Sequence, residues 1–216
     1  MRFRLFLLSL FAGGLFASGQ KTDPSPDAEK SNPLSPLPSC FELQARIGGQ
    51  YNIDETNRDI YGNWVPVYQL EASSGTWRHL YGWFNVGWSN NSGNTELLDT
   101  KTKYFLIPLA AGLKCAFPFS DRFFFYLGLG ANYTYLHIHD FSSSVPSHTV
   151  KWNWGCTAKS GLRIALPSKR IFFEIFADYS YLPFRFSSSP DLQRPSIDMG
   201  GLLLGISFGG QPVVCQ

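Results

Sequence analysis

The chain has 216 residues, a formal net charge of +2 and a charged fraction of 16%, which only equals its aromatic fraction. This length suits one domain, but the charge is scarce for a surface that must face water. The charge is also too mild for nucleic-acid binding, and no basic stripe stands out along the chain. Nucleic acid is therefore excluded as a partner.

The N-terminal region has the layout of an export signal followed by a linker. Residues 1–19 combine Arg2 and Arg4 with an apolar run and a small-residue end, which predicts a secretory signal peptide. Residues 20–39 are rich in Pro and Ser and predict an unfolded periplasmic linker. No lipobox cysteine follows the apolar run, and no later segment holds about 18 uninterrupted apolar residues, so neither a lipid anchor nor a spanning helix is indicated.

Residues 40–209 alternate apolar and polar side chains at period two, which is the pattern of strands with one apolar face. In the first strand, for example, Leu43, Ala45 and Ile47 interleave with Gln44 and Arg46. Eight such segments predict an all-β, eight-stranded antiparallel up-and-down transmembrane β-barrel. The predicted strands are residues 41–51, 64–73, 78–89, 103–117, 122–138, 150–166, 170–186 and 197–208.

The connections between these strands are alternately long and short. The long ones are residues 52–63, 90–102, 139–149 and 187–196, and the short ones are 74–76, 118–121 and 167–169. Outer-membrane barrels place long loops outside the cell and short turns in the periplasm. We therefore expect both termini, including a tail at residues 210–216, to lie in the periplasm of a bacterium with an outer membrane.

The polar face carries charge that lipid cannot accept, so it is assigned to the barrel interior. Buried charges need partners, and the acids of the seventh strand stand beside the bases of the sixth. The sequence therefore predicts an interior ionic network rather than an apolar ligand cavity. Its predicted members are Lys114, Lys159, Arg163, Glu174 and Asp178. Eight strands enclose only enough space for such side chains, which argues against a wide channel.

The apolar face is assigned to lipid, with Trp and Tyr collecting near strand ends as in membrane interfaces. The last strand finishes on outward Phe208, which matches the outer-membrane habit of ending on an aromatic residue that the barrel assembly machinery reads. The expected partners are this machinery, outer-membrane lipid and lipopolysaccharide, and the oligomeric state is not indicated. A soluble, secreted lipocalin-like binding barrel would use the same alternation with the two faces exchanged.

The four cysteines fall into two pairs by position. Cys40 precedes the first strand and Cys215 follows the last, and these strands adjoin when a barrel closes. A disulfide between them is possible in an oxidising periplasm, and two free thiols are the alternative. Cys115 and Cys156 face lipid on the fourth and sixth strands, with the fifth between them, and should not pair.

Two stretches of the fifth to seventh strands resemble the small eight-stranded outer-membrane barrels of the OmpW-type group, which are OmpW/OmpX-like. They are Tyr126-Leu-Gly-Leu-Gly-Ala-Asn-Tyr-Thr134, and Val150-Lys-Trp-Asn-Trp-Gly155 continuing through Ser160-Gly-Leu-Arg163 to Ile171-Phe-Phe-Glu-Ile-Phe-Ala-Asp-Tyr179. The resemblance implies an eight-stranded barrel and the passage of small apolar molecules.

Candidate catalytic and ligand-binding residues are few. His137, His139 and Asp140 form a His-x-His-Asp run, but no third metal ligand stands nearby, so surface-loop histidines explain it and no metal site is predicted. A lipid A hydrolase or acyltransferase would need a serine with a histidine, and Ser142, Ser143 and Ser144 follow His139. A similar serine run at Phe186 to Ser189 lacks a histidine, so loop composition explains both. Gly128-Leu-Gly130 lacks the context of a dinucleotide site, and no cofactor is expected.

The sequence thus favours a non-enzymatic outer-membrane barrel with a structural, surface-interaction or limited small-solute passage role. Two alternatives stay open: an outer-membrane enzyme acting on lipid A acyl chains, and the soluble lipocalin-like barrel.

Overall fold

The structure is a computed structural model, and it describes residues 41–77, 79–95, 100–120, 122–140, 148–166, 171–185 and 196–211. The predicted signal peptide and linker, and both cysteines of the possible disulfide, Cys40 and Cys215, lie outside these residues. So does the predicted tail, except for residues 210 and 211.

Eight long strands close into an antiparallel barrel, and a short helix and a two-stranded hairpin sit at one end of it. The order around the wall is β1-β10-β7-β6-β5-β4-β3-β2, and β8 pairs with β9. The elements are β1 (Phe41–Asn52), α1 (Glu55–Tyr61), β2 (Trp64–Trp77), β3 (Leu80–Thr95), β4 (Thr100–Pro118), β5 (Phe123–Asp140), β6 (His148–Ala165), β7 (Ile171–Tyr181), β8 (Pro183–Arg185), β9 (Ser196–Asp198) and β10 (Gly201–Gly210).

The predicted eight-stranded barrel is confirmed, and the differences lie at strand ends. β3 and β4 extend further than predicted and pair as far as Thr95 with Thr100. The predicted seventh strand instead stops at Tyr181, and residues 183–185 form β8 outside the barrel wall. Pro183 explains the break, because a proline has no N–H to donate to a continuing ladder.

The two ends of the barrel differ in what covers them. At the end where β1 begins and β10 finishes, here called the turn end, neighbouring strands are joined by tight connections. At the opposite end, here called the loop end, α1 and the β8–β9 hairpin lie. The side chain of Asp54 caps α1 by accepting a hydrogen bond of 3.1 Å from the Asn57 N–H, and Gly62, at φ 85°, ends it. No helix among the described residues is long and apolar enough to cross a membrane.

Large apolar side chains cover the outside of the barrel in bands. Tyr and Trp rings contact one another towards the loop end, including Tyr68 with Trp88 at 5.5 Å and Tyr135 with Trp152 at 4.7 Å between ring centroids. Phe117 and Phe119 each lie 6.4 Å from Phe125 at the turn end. Aliphatic residues fill the zone between, where Leu129 is 72% exposed. The expectation that Trp residues collect at the membrane interfaces fails for Trp83, which is buried in the lumen.

The outside and inside of this barrel are the reverse of those in a soluble lipocalin-like barrel. Charged residues of the strands, such as Glu71 and Lys159, are buried, while leucines and phenylalanines are exposed. A soluble protein rarely exposes such a continuous apolar surface. The arrangement therefore speaks against the soluble alternative.

Candidate functional site: the filled lumen

The turn-end half of the lumen holds eight buried charged side chains, four acidic and four basic. They are Glu42, Arg46, Glu71, Lys114, Lys159, Arg163, Glu174 and Asp178. Their side chains are at most 10% exposed, so water screens them little. The set is formally neutral. We call it the charged layer.

Arg46 of β1 lies at the centre of the charged layer. Its guanidinium makes a two-pronged contact with Asp178, with Nη1–Oδ2 at 2.7 Å and Nη2–Oδ1 at 3.2 Å. Nη1 also lies 3.3 Å from Glu71 Oε2, and Nη2 lies 3.8 Å from Glu174 Oε1. This planar, forked geometry is one that arginine provides and lysine does not.

Glu71 of β2 is the second hub, because three cations share its carboxylate. Lys114 donates to Oε1 at 2.9 Å, and both Lys159 and Arg46 contact Oε2. Lys159 also lies 3.6 Å from Asp178 Oδ2. The carboxylate therefore joins β1, β4 and β6 through the middle of the barrel.

Arg163 of β6 anchors the network near the turn end. Its Nη1 lies 2.9 Å from both carboxylate oxygens of Glu42, and its Nη2 lies 3.4 Å from Glu174. The Tyr126 hydroxyl donates to Glu174 at 2.8 Å. Ser73 donates to Glu42 at 3.1 Å, so each of these acids also has a neutral hydrogen-bond donor.

Each of the four cations also lies over an aromatic ring. The distances to the ring centroids are 3.7 Å for Arg46 over Phe176, 3.9 Å for Arg163 over Phe172, 4.3 Å for Lys159 over Trp83 and 5.3 Å for Lys114 over Tyr126. Cation–π contacts of this kind are stronger when desolvated. Lumen glycines leave space for the rings: a Cβ at Gly161 or Gly205 would come within 2.7 Å of the Tyr126 or Phe176 ring. The charged layer is thus packed as well as paired.

The structure brings together all five residues predicted for the interior network. Lys159 stands opposite Asp178 in the ladder and Arg163 opposite Glu174, as the order of the sixth and seventh strands implied. Sequence reasoning did not find that Arg46 and Glu71 are the hubs. Arg46 comes from β1 and Glu71 from β2, and neither strand adjoins β6 or β7. The alternation placed both residues on the polar face but could not show which groups they meet.

The loop-end half of the lumen is mainly apolar instead, with buried Asn52 and Thr102 among its few polar side chains, which differs from the polar interior expected from sequence. We call its buried apolar residues the apolar layer. They are Val65, Tyr104, Leu106, Leu136, Leu182, Phe184 and Met199, with Tyr61, Ile138 and Ile197 packed against them. Phe184 and Met199 lie outside the barrel strands, so the segments at the mouth supply part of the layer.

Hydrogen bonds hold those segments over the mouth. Asp198 accepts from the Leu182 N–H at 2.7 Å and from the Gly200 N–H at 2.8 Å. Its own N–H donates to Asp54 Oδ2 at 3.3 Å, and Asn57 Nδ2 donates to its carbonyl at 3.2 Å. The β8–β9 hairpin and α1 are therefore joined to each other at the loop end.

A cavity of about 40 Å³ lies between the two layers. Trp83 and Asn132 border it, and Trp83 Nε1 and Asn132 Oδ1 have no hydrogen-bond partner in the protein. A volume of this size admits a few water molecules at most. It is too small to hold or pass a solute.

The remaining candidates from the sequence lie elsewhere. Ser142, Ser143 and Ser144 are outside the described residues, as is the second serine run. His137 and His139 lie at the loop end beside His148. Cys115 and Cys156 are free thiols on the outward face.

The fold is similar to those of solved outer-membrane barrels. The outer membrane protein OprG of Pseudomonas aeruginosa matches with a TM-score of 0.62 at 15% identity, over 82% of this chain and 98% of that one. The Escherichia coli outer membrane protein W matches with a TM-score of 0.52 at 14% identity, over 80% and 97%. Neisserial surface protein A matches with a TM-score of 0.54 at 13% identity, over 79% and 96%. No family model and no curated protein matches the sequence.

The chain has the eight-stranded outer-membrane barrel fold. The predicted OmpW/OmpX-like resemblance is confirmed at the level of fold, since the match spans nearly the whole of each of these barrels. At identities this low, the likeness carries no activity from one protein to the other.

Proposed function

We propose that this protein is a non-enzymatic barrel of the bacterial outer membrane, closed to solutes, that serves as a structural and surface-interacting component of the envelope. The closed lumen carries the proposal. The charged layer fills one half, the apolar layer fills the other, and the cavity between them holds about 40 Å³.

The outer surface supports insertion into a membrane. At the strand tilt of about 40° usual for outer-membrane barrels, the stretch from Trp152 to Leu162 would rise about 25 Å along the barrel axis, which is the height of their apolar band. The exposed large side chains of that zone are apolar, with Leu127 and Leu129 beside aromatic Phe84, as lipid requires. Phe208 at the end of β10 is 58% exposed, where the barrel assembly machinery could read it.

The two ends support an orientation with the loop end outside the cell. The helix and the hairpin lie at the loop end. The turn end has tight connections, and β1 begins there and β10 ends there. Outward Lys101 and Lys103 lie beyond the Tyr and Trp band at the loop end. Cations at that height suit the phosphates of lipopolysaccharide, and we propose this lipid as a partner.

Planar-bilayer recording tests the closed lumen. Protein that shifts in gel mobility on heating, and is therefore folded, should insert without stable conductance steps. The variant Phe184→Ala serves as the positive control. Loss of that ring from the apolar layer should make conductance steps more frequent than in the unmodified chain. Steady conductance by the unmodified chain would refute a closed barrel. An altered lipid A mass after expression would refute the non-enzymatic assignment and favour acyl-chain hydrolysis or transfer.

Substituting a lipid-facing residue tests the membrane assignment. Leu129→Arg should lower the free energy of unfolding from bilayers by about 2–4 kcal/mol, because the charge would sit at the mid-plane. The same change at Phe119, which is exposed at the turn end, should cost less than about 1 kcal/mol. Equal effects at the two positions would contradict a membrane-spanning outer surface.

A further inference from the structure

Three of the four histidines of the chain meet at one place on the loop end. His137 and His139 lie two residues apart on β5, and His148, the first residue of β6, stands opposite His139 in the ladder. All three are at least partly exposed. The fourth, His79, lies at the other end of the barrel, between β2 and β3.

Two of these rings present nitrogens to each other. His148 Nδ1 lies 3.4 Å from His137 Nε2, and the ring planes are within 8° of parallel. That separation is long for a hydrogen bond, which prefers about 2.9–3.0 Å. However, two nitrogens that bind one tetrahedral ion at about 2.0–2.1 Å lie about 3.3–3.4 Å apart. The pair has the spacing of two ligands of one metal ion.

His139 stabilises the position of His148 and is not a third ligand. Its ring stacks on His148 with centroids 4.3 Å apart and planes within 13° of parallel, so it packs against the face of His148. A stacked neighbour restrains the orientation of a ligand ring, as hydrogen bonds to ligating histidines do in metal sites. The described residues contain no group of three or more histidine, cysteine or acidic side chains with metal-site geometry. The protein would therefore supply two ligands and water the rest.

The surroundings of the pair suit an ion from solution. His137 is flanked in the ladders by Phe105 and Val150, and His139 by Lys103. The rings lie beyond the contact of Tyr135 with Trp152, so they are on the water side of the aromatic band. The cationic Lys103 stands next to His139 rather than the nitrogen pair, which limits its repulsion of a bound cation.

We propose that His137 Nε2 and His148 Nδ1 together bind a divalent transition-metal ion on the loop-end rim, with Zn²⁺ the ion that the tetrahedral spacing fits and Cu²⁺ and Ni²⁺ as further ions that imidazole binds. Neutral imidazole is a ligand that these ions favour, with Cu²⁺ the tightest. Binding requires the proton on His137 Nδ1 and on His148 Nε2, which leaves the facing nitrogens as acceptors. This site is independent of the closed lumen proposed above.

Metal titration of the full chain without a histidine tag tests the site. Cu²⁺ followed by electron paramagnetic resonance, and Zn²⁺ followed by calorimetry, should each reveal one ion per chain, with nitrogen coupling in the Cu²⁺ spectrum. His137→Ala and His148→Ala should each lose that ion. The matched control His79→Ala should bind as the unmodified chain does. His139→Phe keeps a ring to stack on His148 and should retain the ion with weakened binding.

The titration can also overturn the proposal. Absence of a bound ion from the folded, heat-modifiable protein would do so, as would binding that survives both His137→Ala and His148→Ala. Complete loss in His139→Phe would show that His139 is itself a ligand and that the assigned pair is wrong. Binding of inorganic phosphate by the cluster, without Cu²⁺, would show an anion site instead.

Discussion

The two halves of the lumen close the same barrel by opposite means. Near the turn end, four acids and four bases are paired both between neighbouring strands and across the lumen, and aromatic rings pack against the cations. Near the loop end, aliphatic and aromatic side chains from the wall meet others from the mouth segments. The stability of the charged layer depends on every buried charge having a partner of opposite sign, because a buried charge without a partner is costly. The apolar layer depends on filled volume, and losses there grow with the cavity left.

The largest expected effect comes from breaking the charged layer at a hub. Glu71→Leu removes the carboxylate shared by Lys114, Lys159 and Arg46 and should lower the free energy of unfolding by about 3–5 kcal/mol. Urea unfolding from lipid vesicles, followed by tryptophan fluorescence, measures this. Asp59→Asn on exposed α1 is the control, expected within about 0.5 kcal/mol of the unmodified chain. A Glu71→Leu cost as small as the control would show that the layer is not tightly coupled.

Breaking the apolar layer should act more locally. Phe184→Ala removes a ring that is 1% exposed, at a cost of about 3 kcal/mol. Because β8 lies outside the barrel wall, we expect the loss in local opening of the mouth rather than in global unfolding. Faster proteolysis at residues 182–200, with an almost unchanged urea midpoint, would show this. Phe105→Ala on the outward face should leave proteolysis unchanged, and a large global loss in Phe184→Ala would contradict the distinction.

The junction over the mouth should contribute less. Asp198→Ala leaves the Leu182 and Gly200 N–H groups without their acceptor, which should cost about 2 kcal/mol. Asp198→Asn keeps one side-chain oxygen and should cost less. Hydrogen exchange of those two amides reports the difference directly. Equal protection in both variants would mean that the apolar packing alone holds the hairpin in place.

The smallest effect should come from replacing a charged pair completely. Glu42→Leu and Arg163→Met should each cost about 3 kcal/mol alone, because each leaves a buried charge. The double variant should lie within about 1 kcal/mol of the unmodified chain, since Glu174, which also loses Arg163, keeps its contacts with Arg46 and the Tyr126 hydroxyl. The urea assay used for Glu71→Leu measures all three. Additive losses in the double variant would show that the pair itself, rather than the completeness of pairing, stabilises this half of the lumen.

The membrane barrel was predictable because alternation at period two is a local property of each strand. Lys159 and Arg163 fall on one face of β6 by spacing alone, and a charged face cannot meet lipid. Their neighbours Asp178 and Glu174 followed from strand order, since consecutive strands of a meander pair. The central roles of Arg46 and Glu71 did not follow, because Asp178, Lys114 and Lys159, which they meet, come from strands that do not adjoin theirs. There, strand tilt and side-chain length decide which groups touch.

The position of the β8 segment over the lumen and the contact among the histidines were not predicted for the same reason: both depend on contacts between different segments of the chain. Phe184 was assigned to a continuous seventh strand, yet Pro183 ends the ladder and turns that segment over the lumen. The histidine run lacked a further ligand in sequence, and the ladder between β5 and β6 supplied His148. The disulfide between Cys40 and Cys215 stays a prediction.

By itself, the sequence determined the eight strands, the face of each that meets lipid, and the charge content of the interior, because all three depend on the order of neighbouring residues. The tertiary structure decided which charges share a carboxylate, that the loop-end half is apolar, and which histidines meet. Those outcomes depend on closing the barrel, which brings residues far apart in the chain within a few ångströms of each other.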